Sequence, residues 1–164
     1  MKLRLQSSWE SLRTSFWFIP AVMTFVAIVL SFLLVYVDRR IGPETEVFGF
    51  IYSGGPEGAR LVLSTIAGSM ITVAGVTFSI TIVALTLASS QFGPRLLRNF
   101  MHDTGNQVTL GTFIATFVYC LLVLRTVHTV EGEDFVPSIS VAVAIFLALA
   151  GIAVLIYFIH HVSM

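Results

Sequence analysis

Charge is what this sequence has least of. Nine Lys and Arg residues and nine Asp and Glu residues among 164 make only 11% charged, against about 25% in an ordinary soluble domain. A chain with so few ions cannot cover a water-facing surface. Formal net charge is zero, so the basic face of a nucleic-acid binder is missing and no nucleic-acid partner is expected. One cysteine, Cys120, excludes an internal disulfide framework and any CxxC metal site. It lies inside an apolar run and reads as a packed thiol. Glycine fingerprints for phosphates or dinucleotides are absent, as are paired carboxylates and nucleophile–base pairs suited to catalysis. No enzyme, no cofactor and no metal centre is expected. The histidines give no metal pair either, because adjacent His160 and His161 would point about 100° apart on a helix.

What the chain has instead is apolar length. Hydrophobic residues make up 56% and mean hydropathy is +0.92. Four stretches reach the roughly 20 apolar residues that a bilayer core requires: residues 16–37, 61–88, 108–127 and 138–159. The first, "FWFIPAVMTFVAIVLSFLLVYV", is too long for a signal-peptide core and has no A-x-A site before "DRR", so it reads as a retained span. Pro20 falls in its first turns, where a missing backbone donor costs least. No segment alternates apolar and polar over about ten residues, which excludes a β-barrel. The expected fold is all-α: an integral membrane bundle of four transmembrane helices, one transmembrane domain over 1–164, with amphipathic juxtamembrane segments.

Orientation rests on the basic residues. Lys2, Arg4, Arg13, Arg95 and Arg98 fall on one face, and Arg39, Arg40, Arg60 and Arg125 on the other. Five against four favours both termini in the cytoplasm of a bacterial inner membrane. Gly93 and Pro94 break the second span, and "RLLRNFMH" then alternates Arg95 and Arg98 with leucines and Phe100. That pattern suits a headgroup-layer helix, either a plain topological anchor or a hinge or lipid-sensing element. Trp9, Arg13 and Trp17 read as further interface anchors. At the other face, Arg125 and Arg60 either snorkel or pair with acids such as Glu131, Glu133 and Asp134; an arginine ring at a pore mouth is a third reading.

The second span carries a patterned face. At 100° per residue, Thr65, Ser69, Thr72, Ser79, Thr86 and Ser90 share an arc of about 100°. Val76 and Val83 interrupt it, Gly68 and Gly75 border it, and Thr77 and Thr81 point elsewhere. Two readings stay open. Small and hydroxyl residues let helices approach closely and hydrogen-bond across a contact. Alternatively the stripe lines a wet path for ions in a homo-oligomer, with the valines as dewetting constrictions. The third span has a shorter face of Thr109, Thr112, Thr116, Tyr119 and Thr126, and the fourth a small-residue seam at Ala144, Ala148 and Gly151. No Asp, Glu, Lys or Arg lies at mid-depth, which argues against a proton relay or ion-coupled carrier.

The stretch "TLASSQFGPRLLRNFMHDTGNQVTLGTFIATFVYCLLVLRTV", with "SFWFIPAVM" and the second span, resembles a family of bacterial membrane proteins grouped as domain of unknown function 2254. The resemblance implies a membrane protein and brings no catalytic residues. It also implies longer members with a region beyond the fourth helix, whereas this chain stops at "YFIHHVSM". The sequence therefore leaves two functions in competition. One is an oligomeric channel or pore-like protein with helix 61–88 on the axis. The other is a non-conducting anchor, oligomerisation or sensing module serving a cytoplasmic region absent here.

Overall fold

The computed structural model describes residues 17–41, 55–92, 104–130 and 133–162. Four helices form in chain order, α1 (Phe18–Ile41), α2 (Pro56–Phe92), α3 (Thr104–Leu124) and α4 (Ser138–Val162). Each is long and apolar enough to cross a membrane. Without water to satisfy peptide groups, a helix is the conformation that pairs every interior N–H and C=O within its own segment. The chain ends of these helices follow local chemistry. Pro20 sits in the first turn of α1 and Pro56 opens α2, both positions where no helical donor is lost.

Boundaries differ from the apolar runs in instructive ways. The helix α2 starts five residues before Leu61 and runs four beyond Ala88, because backbone bonding continues past the apolar stretch. Helix α3 begins at Thr104 and stops at Leu124 rather than Val127. There Arg125 and Thr126 turn the chain, with the Thr126 N–H donating to Val123 O at 2.9 Å.

One element was not anticipated. Between α3 and α4, β1 (His128–Val130) pairs antiparallel with β2 (Glu133–Phe135), His128 opposite Phe135 and Val130 opposite Glu133. The stretch "EGED" reads as solvated loop because three charges mask the short strands that flank Gly132.

Helix α3 is the centre of the bundle. Half of its most apolar stretch is buried, against 22% for each of the other three spans. Tyr119, Cys120 and Val123 of α3 pack with Leu63 and Ala67 of α2, Ala27 and Val35 of α1, and Val141 and Ala144 of α4. A second cluster joins Met70 and Ala74 of α2 to Phe113 of α3. Small residues set the approach distances, as in other membrane bundles. A Cβ on Gly111 would stand 2.7 Å from Met23 Sδ and 3.1 Å from the Pro20 Cα, so α1 and α3 touch backbone to backbone there. A Cβ on Gly151 would meet Met70 Sδ and Cε at 3.2 Å. The seam on α4 is thus a packing seam against α2. Thr109, Thr116 and Tyr119 of the α3 face are likewise buried inside the subunit.

Candidate functional site

The face of α2 that carries the hydroxyls points away from its own bundle. Among the described side chains of this helix, Ala59, Leu63, Ala67, Met70, Ala74 and Thr77 are buried, a regular inner stripe at spacings of three and four. On the opposite side Thr65, Thr72, Ser79 and Thr86, seven residues apart, form an exposed column. Ser69, Val76 and Val83 flank it on one edge and Leu61, Gly68, Gly75 and Ile82 on the other, all of them exposed. Thr77 is buried and Thr81 half-buried, in keeping with their different direction. Ser90 lies in α2, but its side chain falls outside the described residues.

Four hydroxyls of this face already have a partner in their own helix. Ser69 donates to Thr65 O at 2.8 Å, Thr72 to Gly68 O at 2.7 Å, Ser79 to Gly75 O at 2.9 Å and Thr86 to Ile82 O at 2.8 Å. A hydroxyl that donates to the carbonyl four residues back can sit in an apolar medium without an orphaned proton. Its oxygen lone pairs stay available, so the column presents acceptors outward. From Leu61 to Phe92 there is no charged side chain. Nothing stands within 4 Å of a Cβ placed on Gly68 or Gly75. The other outward faces are of different chemistry: Phe25, Val29, Phe32 and Leu33 on α1, and Phe146, Leu149, Ile152 and Ile156 on α4.

A second polar assembly closes the hairpin end of the bundle. Asp38, in the last turn of α1, accepts the Ile139 N–H on Oδ1 at 3.0 Å. Its Oδ2 accepts the Ser140 N–H at 3.0 Å and the Ser140 hydroxyl at 2.6 Å. The carboxylate therefore caps α4 from another helix, at the positive end of the helix dipole. The Tyr119 hydroxyl donates to Ser140 O at 2.9 Å, and Arg60 Nη2 to Val127 O at 3.1 Å. Arg39 lies over the Phe135 ring at 5.5 Å. Arg60 thus binds a backbone carbonyl, a partner the sequence did not suggest, while Arg125 is exposed. In the sequence Asp38 shows only as the first residue of the "DRR" that follows the first span. A cap contributed from 101 residues upstream leaves no local pattern to read.

Of the interface anchors, Trp17 is 73% exposed at the start of α1. Trp9, Arg13, Arg95 and Arg98 lie outside the described residues, as do the amphipathic segments to which they belong. Among the described residues no three His, Cys, Asp or Glu side chains cluster to hold a metal ion.

Four apolar helices, satisfied backbones and bulky outward faces define a multi-pass α-helical membrane protein. The chain belongs to the family described as predicted membrane protein, domain of unknown function 2254, whose model matches residues 13–164. It is 36% identical over 160 residues to uncharacterised proteins of Mycobacterium bovis and of two Mycobacterium tuberculosis strains. Those matches cover 96% of this chain and 30% of each relative, so the chain spans less than a third of their length. No solved structure matches it.

Proposed function

We propose that several copies of this chain assemble with α2 toward a common axis, forming a channel or pore-like path for ions without enzymatic activity. The observation that carries this reading is the exposed column of Thr65, Thr72, Ser79 and Thr86 with its glycine edge. Lipid tails reward the bulky apolar side chains seen on α1 and α4, and gain little from hydroxyls and bare glycine backbone. One four-helix subunit is too thin to enclose water, so a hydrated path requires copies around an axis. Val76 and Val83, the apolar interruptions of the hydroxyl pattern, form its dewetting constrictions. The basic residues support both termini in the cytoplasm of a bacterial inner membrane.

The rival is a non-conducting anchor, oligomerisation or sensing module. Its support is the 30% coverage of the relatives, which leaves most of their length for a region that such a module would serve. Oligomeric state in nanodiscs, read by native mass spectrometry and particle averaging, separates the two. A closed ring with α2 inside favours the pore and calls for single-channel recording, in which Val83→Ser should raise flux. A monomer, or a dimer with the α2 face on lipid, favours the anchor. A cysteine label on Asn99 that reacts only from outside the cell overturns the orientation.

A further inference from the structure

We propose, resting on the pore reading above, that the path carries univalent cations and takes them in at the mouth where Glu57 stands. Glu57 is exposed in the first turn of α2. It lies eighteen residues before Gly75, which is five full helical turns. It therefore falls in line with the glycine edge of the exposed face. Copies arranged with that face toward an axis carry a ring of carboxylates at one end, and such a ring favours cations.

The arginines at that end are engaged elsewhere. Arg60 falls about 120° from Thr72 around the helix and donates to Val127 O at 3.1 Å. Arg39 lies over the Phe135 ring, and Arg40 donates to the Tyr36 hydroxyl at 2.8 Å. Arg125 follows α3, which packs on the buried side of α2. None of the four belongs to the hydroxyl face, so the anion-favouring arginine ring has no basis in the subunit.

Beyond the mouth the face offers neutral oxygen. Ser69, Thr72, Ser79 and Thr86 give their protons to carbonyls of their own helix, which leaves lone pairs outward. No carboxylate stands between Leu61 and Phe92, so the face suits a univalent cation better than Ca2+ or Mg2+, which take carboxylate ligands. The two ends of the path also differ in sign. Residues 38–60 and 125–134, on the side of Glu57, hold seven acidic residues against four arginines. Residues 1–13 and 93–103, on the opposite side, hold five basic residues against two acidic ones. At about 8 Å in water a carboxylate roughly doubles the local concentration of a univalent cation. Cations therefore gather at the Glu57 mouth and are repelled at the other. Entry from the Glu57 side is faster, and the current rectifies.

Single-channel recording in planar bilayers tests this, on protein whose assembly has been read by native mass spectrometry. Under a KCl gradient the reversal potential should lie on the K+ side, and in symmetric 0.1 M KCl each channel should rectify. Glu57→Gln should lower the larger current by about twofold or more. In 1 M KCl, where the screening length is about 3 Å, that loss and the rectification should both fade. A purely structural role for Glu57 would give the same loss at both salt concentrations, and that result overturns the proposal. So does a current carried by Cl−, a preference for Ca2+ over K+ under bi-ionic conditions, or a channel that does not rectify in 0.1 M KCl. Each of these leaves the pore reading intact. An assembled ring that passes no current ends both, so the two failures are told apart.

Discussion

Asp38 and Ser140 stand 102 residues apart in the chain, yet Oδ2 of the first accepts both the N–H and the hydroxyl of the second, at 3.0 and 2.6 Å. With the Ile139 N–H on Oδ1, one carboxylate satisfies the opening turn of α4, whose donors have no partner within that helix. Asp38→Ala should lower stability by about 1–3 kcal/mol, the range for a lost cap and orphaned donors. Asp38→Asn keeps one acceptor oxygen and should lose less. Unfolding in mixed micelles, followed by circular dichroism, ranks the two; equal stability of Asp38→Ala and the parent chain would show the cap to be idle.

Tyr119→Phe removes only the donor to Ser140 O and keeps the ring inside the core. Hydrogen bonds between membrane helices average about 0.6 kcal/mol and reach about 1.7, so the expected loss lies in that interval. The same unfolding assay should place it below Asp38→Ala.

Glycine to alanine should have opposite signs at two positions. Gly111→Ala drives a methyl group to 3.1 Å from the Pro20 Cα and against Met23 Sδ. Backbone cannot yield as a side chain does, so a loss of about 1–3 kcal/mol is expected. At Gly68 no atom lies within 4 Å, and alanine should be neutral or gain up to about 1 kcal/mol of helix propensity. Paired thermal midpoints in detergent decide the matter.

Bulk on the α2 face should separate folding from assembly. Gly68→Leu and Thr72→Leu both put large side chains on the exposed face, and nothing lies within 4 Å of a Cβ at Gly68. Helix content and thermal midpoint should match the parent chain, while native mass spectrometry shows smaller assemblies. Unchanged assembly in both variants would mean that this face meets lipid.

Four crossings place Glu57, at the start of α2, and His160, at the end of α4, on opposite sides of the membrane. Single cysteines there should react with an impermeant maleimide from opposite sides, in either orientation of the whole protein. Cys120, with no exposed surface, should react only after denaturation.

Much of this architecture is legible before any folding is considered. Twenty-residue apolar runs admit only spanning helices, and all four were located within a few residues, because the physics of an unsatisfied peptide group in lipid is local and severe. The phase of Thr65, Ser69, Thr72 and Ser79 was legible for a similar reason, since 3.6 residues per turn sets which side chains share a face. The hairpin at His128–Phe135 was not, because its strands are three residues long and its pairing competes with a charged, loop-like composition. Nor were Asp38 and Arg60, whose partners, Ser140 and Val127, lie far along the chain.

Composition and periodicity thus decided the medium, the number of crossings and which residues of α2 lie side by side. They could not decide whether the hydroxyl face turns inward or outward, because a stripe has an angle on its own helix but none relative to the bundle. That direction came from packing. Leu63, Ala67, Met70 and Ala74 fit the surface of α3 and α4, and burying that side forces Thr65, Thr72, Ser79 and Thr86 to the outside. Helix formation needs only neighbours in sequence, whereas the direction of a helix face needs neighbours in space.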